Sequence, residues 1–101
     1  MRQGPRRRGP LPLEIVWSPR ALHRLQEIRT YVAKDKQAAS RLAMRIVAVV
    51  ETLAEHPYIG RAGIAPEIRE LVIAGTPYVV LYRVEGRRVV ISTIWHGAQR
   101  P

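Results

Sequence analysis

The chain has 101 residues, no cysteine and a formal net charge of +9, with seventeen Lys/Arg, nearly all of them arginine, against eight Asp/Glu. That length suits one domain, able to bury roughly 60–65% of its unfolded surface without staples. The lack of cysteine excludes disulfides, thiolate metal sites and cysteine nucleophiles, and it fits a reducing, cytoplasmic setting. His23, His56 and His96 are too scattered for a metal-binding spacing, so neither a metal nor another cofactor is expected. The charge balance favours nucleic acid, an acidic protein partner or an acidic surface, without choosing among them.

Met1–Pro12 (MRQGPRRRGPLP) has almost nothing to bury and reads as a disordered basic tail, with residues 13–101 as the single folded domain. The tail lacks the apolar stretch of a secretory signal, and no segment of the chain is suited to span a membrane. Without Arg2, Arg6, Arg7 and Arg8, thirteen basic residues still face eight acidic ones, so the domain is basic in its own right. Two roles for the tail stay open: a grip on phosphates, or a dispensable extension.

Leu13–Trp17 (LEIVW) predicts a short strand that joins a sheet. Ser18-Pro19 predicts a helix start, with Ser as cap and Pro in the first turn, where its missing N–H does no harm. The helix is expected to run to about Ala33, burying Ala21, Leu25, Ile28 and Val32, with Leu22 beside that face. Asp35 is the expected cap of a second helix over Lys36–Glu55, whose apolar stripe is Ala39, Leu42, Ile46, Val49, Val50 and Leu53. His56-Pro57 stops it, because the residue before proline avoids helical angles. A short turn between two such helices predicts an antiparallel helical hairpin. Tyr58–Pro66 reads as an irregular connection in which Arg61 sits between Gly60 and Gly63.

The last third predicts three antiparallel strands, Ile68–Ala74, Tyr78–Val84 and Arg87–His96. Gly75-Thr76-Pro77 separates the first two, and Glu85-Gly86 is the expected loop of the second hairpin. That loop would set Arg83 opposite Arg88 and put Tyr78, Val80, Tyr82, Val89, Ile91, Thr93 and Trp95 on one apolar face. The expected fold is therefore α+β: a short N-terminal strand and a two-helix hairpin packed on a mainly antiparallel four-stranded sheet.

Local strings sharpen this. WSPRAL opens the first helix, HPYIGR follows the second, and RELVIAGTPYVVLYRVEG and WHGAQRP close the chain. In that order and spacing the chain resembles the RelE/ParE toxin superfamily, in its ParE-like, plasmid-stabilisation branch, from Leu13 to Pro101. The resemblance implies a toxin of a type II toxin–antitoxin module, neutralised by a ParD-like antitoxin with a flexible, often acidic arm. ParE-like members poison DNA gyrase by binding, whereas RelE-like members cut mRNA on the ribosome.

The residues weigh these branches. In the RNA-cleaving branch the position of Val79 usually carries an arginine, and valine cannot stabilise a phosphorane-like transition state. Arg83, His96 and Arg61 remain the candidates for such an enzyme; for His96 a structural role, bonding a carbonyl, is favoured over that of a base or a relic. Arg61, Arg69, Arg83, Arg88, His96 and Arg100 are the candidate surface toward the target. For the antitoxin, Leu22, Tyr31 and Val47 offer apolar edges on the helical hairpin, and Arg20, Arg24, Arg41 and Arg45 offer a positive field. A nucleic-acid-binding module using the tail and the Arg83/Arg88 face is the third reading; the lack of a stacking aromatic triplet on that face weighs against it.

Overall fold

The computed structural model describes residues 12–30, 35–63 and 65–97. In chain order its elements are β1 (Glu14–Trp17), α1 (Pro19–Thr30), α2 (Lys36–Glu51), a 3-10 turn (Thr52–Ala54), β2 (Arg61–Ala62), β3 (Arg69–Val72), β4 (Tyr78–Glu85) and β5 (Arg88–His96). Residues 1–11, Tyr31, Val32, Ala33, Lys34 and Arg100 lie outside the described residues, so the expectations placed on them are not addressed by the structure.

Both helix starts form as their sequences require. The Ser18 hydroxyl accepts from the Ala21 N–H at 3.0 Å, and the Asp35 carboxylate accepts from the amides of Gln37 and Ala38 at 2.9 and 3.1 Å. Leu13, just ahead of β1, donates its amide to the Ala54 carbonyl at 2.8 Å, so the turn that follows α2 closes onto the start of β1. Ile46, Val50 and Leu53 of the expected stripe are fully buried, as are Ala21 and, nearly so, Ile28. They pack on Val80, Tyr82, Val89, Ile91 and Ile94, which form the helix-covered face of the sheet.

Four strands are expected from the sequence and the sheet has five, in the order β1-β5-β4-β3-β2. β1 is parallel to β5, and the other pairings are antiparallel. The extra strand is the two-residue β2, which pairs Arg61 with Glu70 and Ala62 with Arg69.

The β4–β5 register corrects the sequence expectation twice. Glu85 pairs with Arg88, so Gly86-Arg87 forms the loop, and Gly86 takes φ +59 at its first position, as in a type II′ connection. Arg83 therefore faces Val90 and not Arg88. Farther along, Tyr82 pairs with Ile91 while Leu81 pairs with Thr93, which leaves Ser92 as the extra residue of a β-bulge. The bulge reverses the alternation beyond it. Ile94 and His96, not Thr93 and Trp95, share the helix-covered face with Val80 and Tyr78. Ser18 holds this point: its amide donates to the Ile91 carbonyl at 3.0 Å, and its hydroxyl donates to the Ser92 carbonyl at 2.8 Å.

Candidate functional site

Three surfaces gather the functional candidates. The first is a groove of about 810 Å³ along the solvent side of the α1–α2 pair. Leu22, Leu25, Ala43, Met44, Val47 and Ala48 line it, with Arg29 and Glu51 among its polar edges. Leu22 and Met44 stand 51% and 68% exposed, so the groove is an apolar surface open to water. Sequence reading found Leu22 and Val47 but missed Met44. The signal was present as a second apolar run, Ala43, Met44, Val47 and Ala48, at three- and four-residue steps beside the core stripe.

Of the cations assigned to this side, Arg20, Arg41 and Arg45 are exposed. Arg24 is half-buried and committed to structure. Its Nε donates to the Ile94 carbonyl at 3.1 Å, and its Nη1 meets the Glu27 carboxylate at 2.7 Å. The Arg24 hydrogen bond is the main reason the Glu27 carboxyl lies below its usual range, with the charges of His23 and Arg24 adding to it.

The second surface is the sheet face that the helices leave uncovered. Register places Arg61, Glu70, Val72, Val79, Leu81, Arg83, Arg88 and Trp95 there. Glu70 is a buried carboxylate, and Arg61 meets one of its oxygens with Nε at 3.3 Å and Nη2 at 3.2 Å. The Arg61 side chain remains 60% exposed, so its guanidinium is fixed at one edge and open at the other. Arg83 pairs with the Glu85 carboxylate and donates to Ser92 Oγ at 3.3 Å, and Arg88 lies opposite Glu85. The charge of this strand end is thus partly answered within the hairpin.

His96 lies apart from these arginines. Its ring meets Tyr78 edge-on at 5.3 Å, on the helix-covered face. Tyr78 is its ladder partner, and Arg83 is five residues farther along β4. At about 3.4 Å per residue that separation is roughly 17 Å, with the two side chains on opposite faces of the sheet. Val79 is buried, between Val72 and Trp95 in the ladder.

The third surface is the loop at residues 57–60. Arg69, expected on the target surface, gives its hydrogen bonds to carbonyls there: Gly60 at 2.7 Å and Tyr58 at 3.4 Å. Its guanidinium carbon also lies 4.9 Å from the centre of the Tyr58 ring. Among the described residues, no group of three or more His, Cys, Asp or Glu could hold a metal ion, and no helix is long and apolar enough to cross a membrane.

Comparison with known proteins gives these features a context. Residues 15–101 match the family described as the ParE toxin of the type II toxin–antitoxin system, parDE. Y4kP of Sinorhizobium fredii, which carries the name of a toxin, is 46% identical over 87 residues, covering 85% of this chain and 90% of that protein. Toxin RelE2 of Caulobacter vibrioides is 40% identical over 87 residues, covering 85% of this chain and 97% of its own. A chain from the chromosomal ParDE system of P. aeruginosa shares the fold with a TM-score of 0.77, over 84% of this chain and 96% of that one, at 24% identity.

Proposed function

The chain belongs to the ParE toxin family of type II toxin–antitoxin systems, and on that premise we propose that it poisons DNA gyrase by binding and is silenced by a ParD-like antitoxin seated in the α1–α2 groove. The observation that carries the binding mode is the scatter of the would-be catalytic groups. RNA cleavage needs cations on the scissile phosphate and a proton-transfer group within hydrogen-bond reach of the same site. Arg83 and His96 face opposite sides of the sheet, and valine fills the place between them where relatives that cut RNA are expected to carry arginine. A surface that binds without cutting has no such requirement.

The groove supports the antitoxin reading. An amphipathic helix lays its apolar side into a groove of this kind, Arg29 at its edge suits an acidic residue beside those anchors, and the exposed Arg20, Arg41 and Arg45 of the same two helices add to the positive field. Both partners act in the cytoplasm, where gyrase meets DNA.

The test uses purified toxin with gyrase and plasmid DNA. Supercoiling is expected to stop, with cleaved DNA accumulating, while ribosome-bound mRNA stays intact. His96→Ala is expected to inhibit gyrase as the parent does. Cleavage of ribosome-bound mRNA that depends on Arg83 and His96, with supercoiling untouched, would overturn the reading.

A further inference from the structure

The loop before β2 is held more firmly than a surface connection needs. The hydroxyl of Tyr82, a fully buried residue of β4, accepts from the Gly60 amide at 2.9 Å and donates to the Pro57 carbonyl at 2.8 Å. Arg69 of β3 ties down the carbonyls of Gly60 and Tyr58. Gly60 itself leaves no room for a side chain, since a Cβ there would lie 2.6 Å from Tyr82 Oη and 2.9 Å from the Glu70 carbonyl. Two strands and a glycine thus fix four residues, yet the side chains so displayed are in water: Tyr58 is 63% exposed and Ile59 54%. Stability alone gives no reason to hold two large apolar side chains in solvent. Binding does, because an anchor already ordered loses little conformational entropy when it docks.

We infer that Tyr58 and Ile59 are the anchor by which the toxin docks into an apolar pocket with an acidic rim on its protein target. The inference rests on the reading above that the toxin acts by binding a protein. Its chemistry favours a protein pocket over a single-stranded nucleic acid. The Arg69 guanidinium covers one face of the Tyr58 ring, which leaves a single face for a base, and Ile59 has no π face to offer. The rim follows from charge. Arg69 spends its hydrogen bonds on carbonyls, so its positive charge, beside the Tyr58 ring, is left for a partner's carboxylate.

The test is the double variant Tyr58→Ser/Ile59→Ser in the full chain, compared with the parent for thermal melting, antitoxin affinity, gyrase inhibition and growth arrest. Both residues are exposed, so melting and antitoxin affinity are expected to stay near the parent's. The toxin concentration needed for half-inhibition of gyrase is expected to rise at least about tenfold, as for loss of an interface hot spot, and growth arrest is expected to fade. Unchanged inhibition and unchanged arrest overturn the inference. So does lost antitoxin affinity with arrest intact, which assigns the loop to the antitoxin. Weaker binding to single-stranded DNA with inhibition intact overturns it too, in favour of a nucleic-acid contact. If the parent arrests growth without inhibiting gyrase, the gyrase reading fails and growth arrest alone decides the loop: its loss in the variant supports the inference and its retention overturns it. A parent that neither inhibits nor arrests overturns both.

Discussion

Replacing Tyr82 with phenylalanine removes one oxygen and keeps the ring. The oxygen serves two backbone groups, the Gly60 amide and the Pro57 carbonyl. Gly60 is buried, so its N–H would be left unsatisfied at about 1–3 kcal/mol. Pro57 is only half-buried, so water can reach its carbonyl and the loss there is about 0.5–1.5 kcal/mol. Removing the buried hydroxyl's own desolvation offsets part of the sum, which leaves about 2 kcal/mol. In a domain of this size that lowers Tm by roughly 8–16 °C. Alkaline pH provides a second readout. Burial raises the Tyr82 phenol above its ordinary value of 10.0, so the folded state holds the proton more tightly than the unfolded state. The corresponding stability is fully present below about pH 10 and declines as pH rises from there through the folded-state value. Thermal melts between neutral and alkaline pH, with hydrogen exchange at the Gly60 amide, check both parts. A Tm within about 3 °C of the parent, or an alkaline decline that persists unchanged in Tyr82→Phe, would refute the claim that this hydroxyl pins the loop.

Other substitutions probe the same framework. Gly60→Ala drives a Cβ into the Glu70 carbonyl, a backbone neighbour that cannot turn aside, and is expected to cost about 1–3 kcal/mol in urea unfolding. Arg61→Ala removes one partner of the buried Glu70 carboxylate. Because Arg61 is itself largely exposed, the expected loss is about 2–3 kcal/mol, below that of a fully buried pair, with Arg61→Lys milder in the same urea titration. Met44→Glu puts a charge in the groove lining and is expected to weaken antitoxin binding at least about a hundredfold by calorimetry, with little change in Tm. Charge reversal at Arg41 and Arg45 is expected to slow antitoxin association at low salt and to matter less at high salt, as stopped-flow mixing would show.

Much of this fold is written in local chemistry. Ser18 and Asp35 cap their helices because a short polar side chain ahead of an apolar run has no better use. The β4–β5 hairpin follows from its Val/Ile/Tyr runs around Gly86. The bulge at Ser92 is not local. Ser18, seventy-four residues away, ties the Ser92 carbonyl, and no pattern within β5 announces it. Because alternation has a period of two, that one extra residue moves Trp95 and His96 to each other's expected faces. β2 was equally hidden, since two residues carry no periodicity and the partner of Arg61, Glu70, lies nine residues on. In the helical hairpin the core stripe stood out from the sequence. The groove did not, because alanine and methionine beside a strong stripe read as ordinary packing. The loop at Tyr58 was legible only as irregular chain, since its order comes from Tyr82 and Arg69 on other strands.

The central claim is a target bound and not an RNA cut. Pulse labelling of DNA and protein synthesis, side by side after toxin expression without antitoxin, tests it most directly. The account predicts that DNA synthesis stops first, with His96→Ala equally toxic. Protein synthesis stopping first, with mRNA cleaved and toxicity lost in Arg83→Ala and His96→Ala, would contradict it.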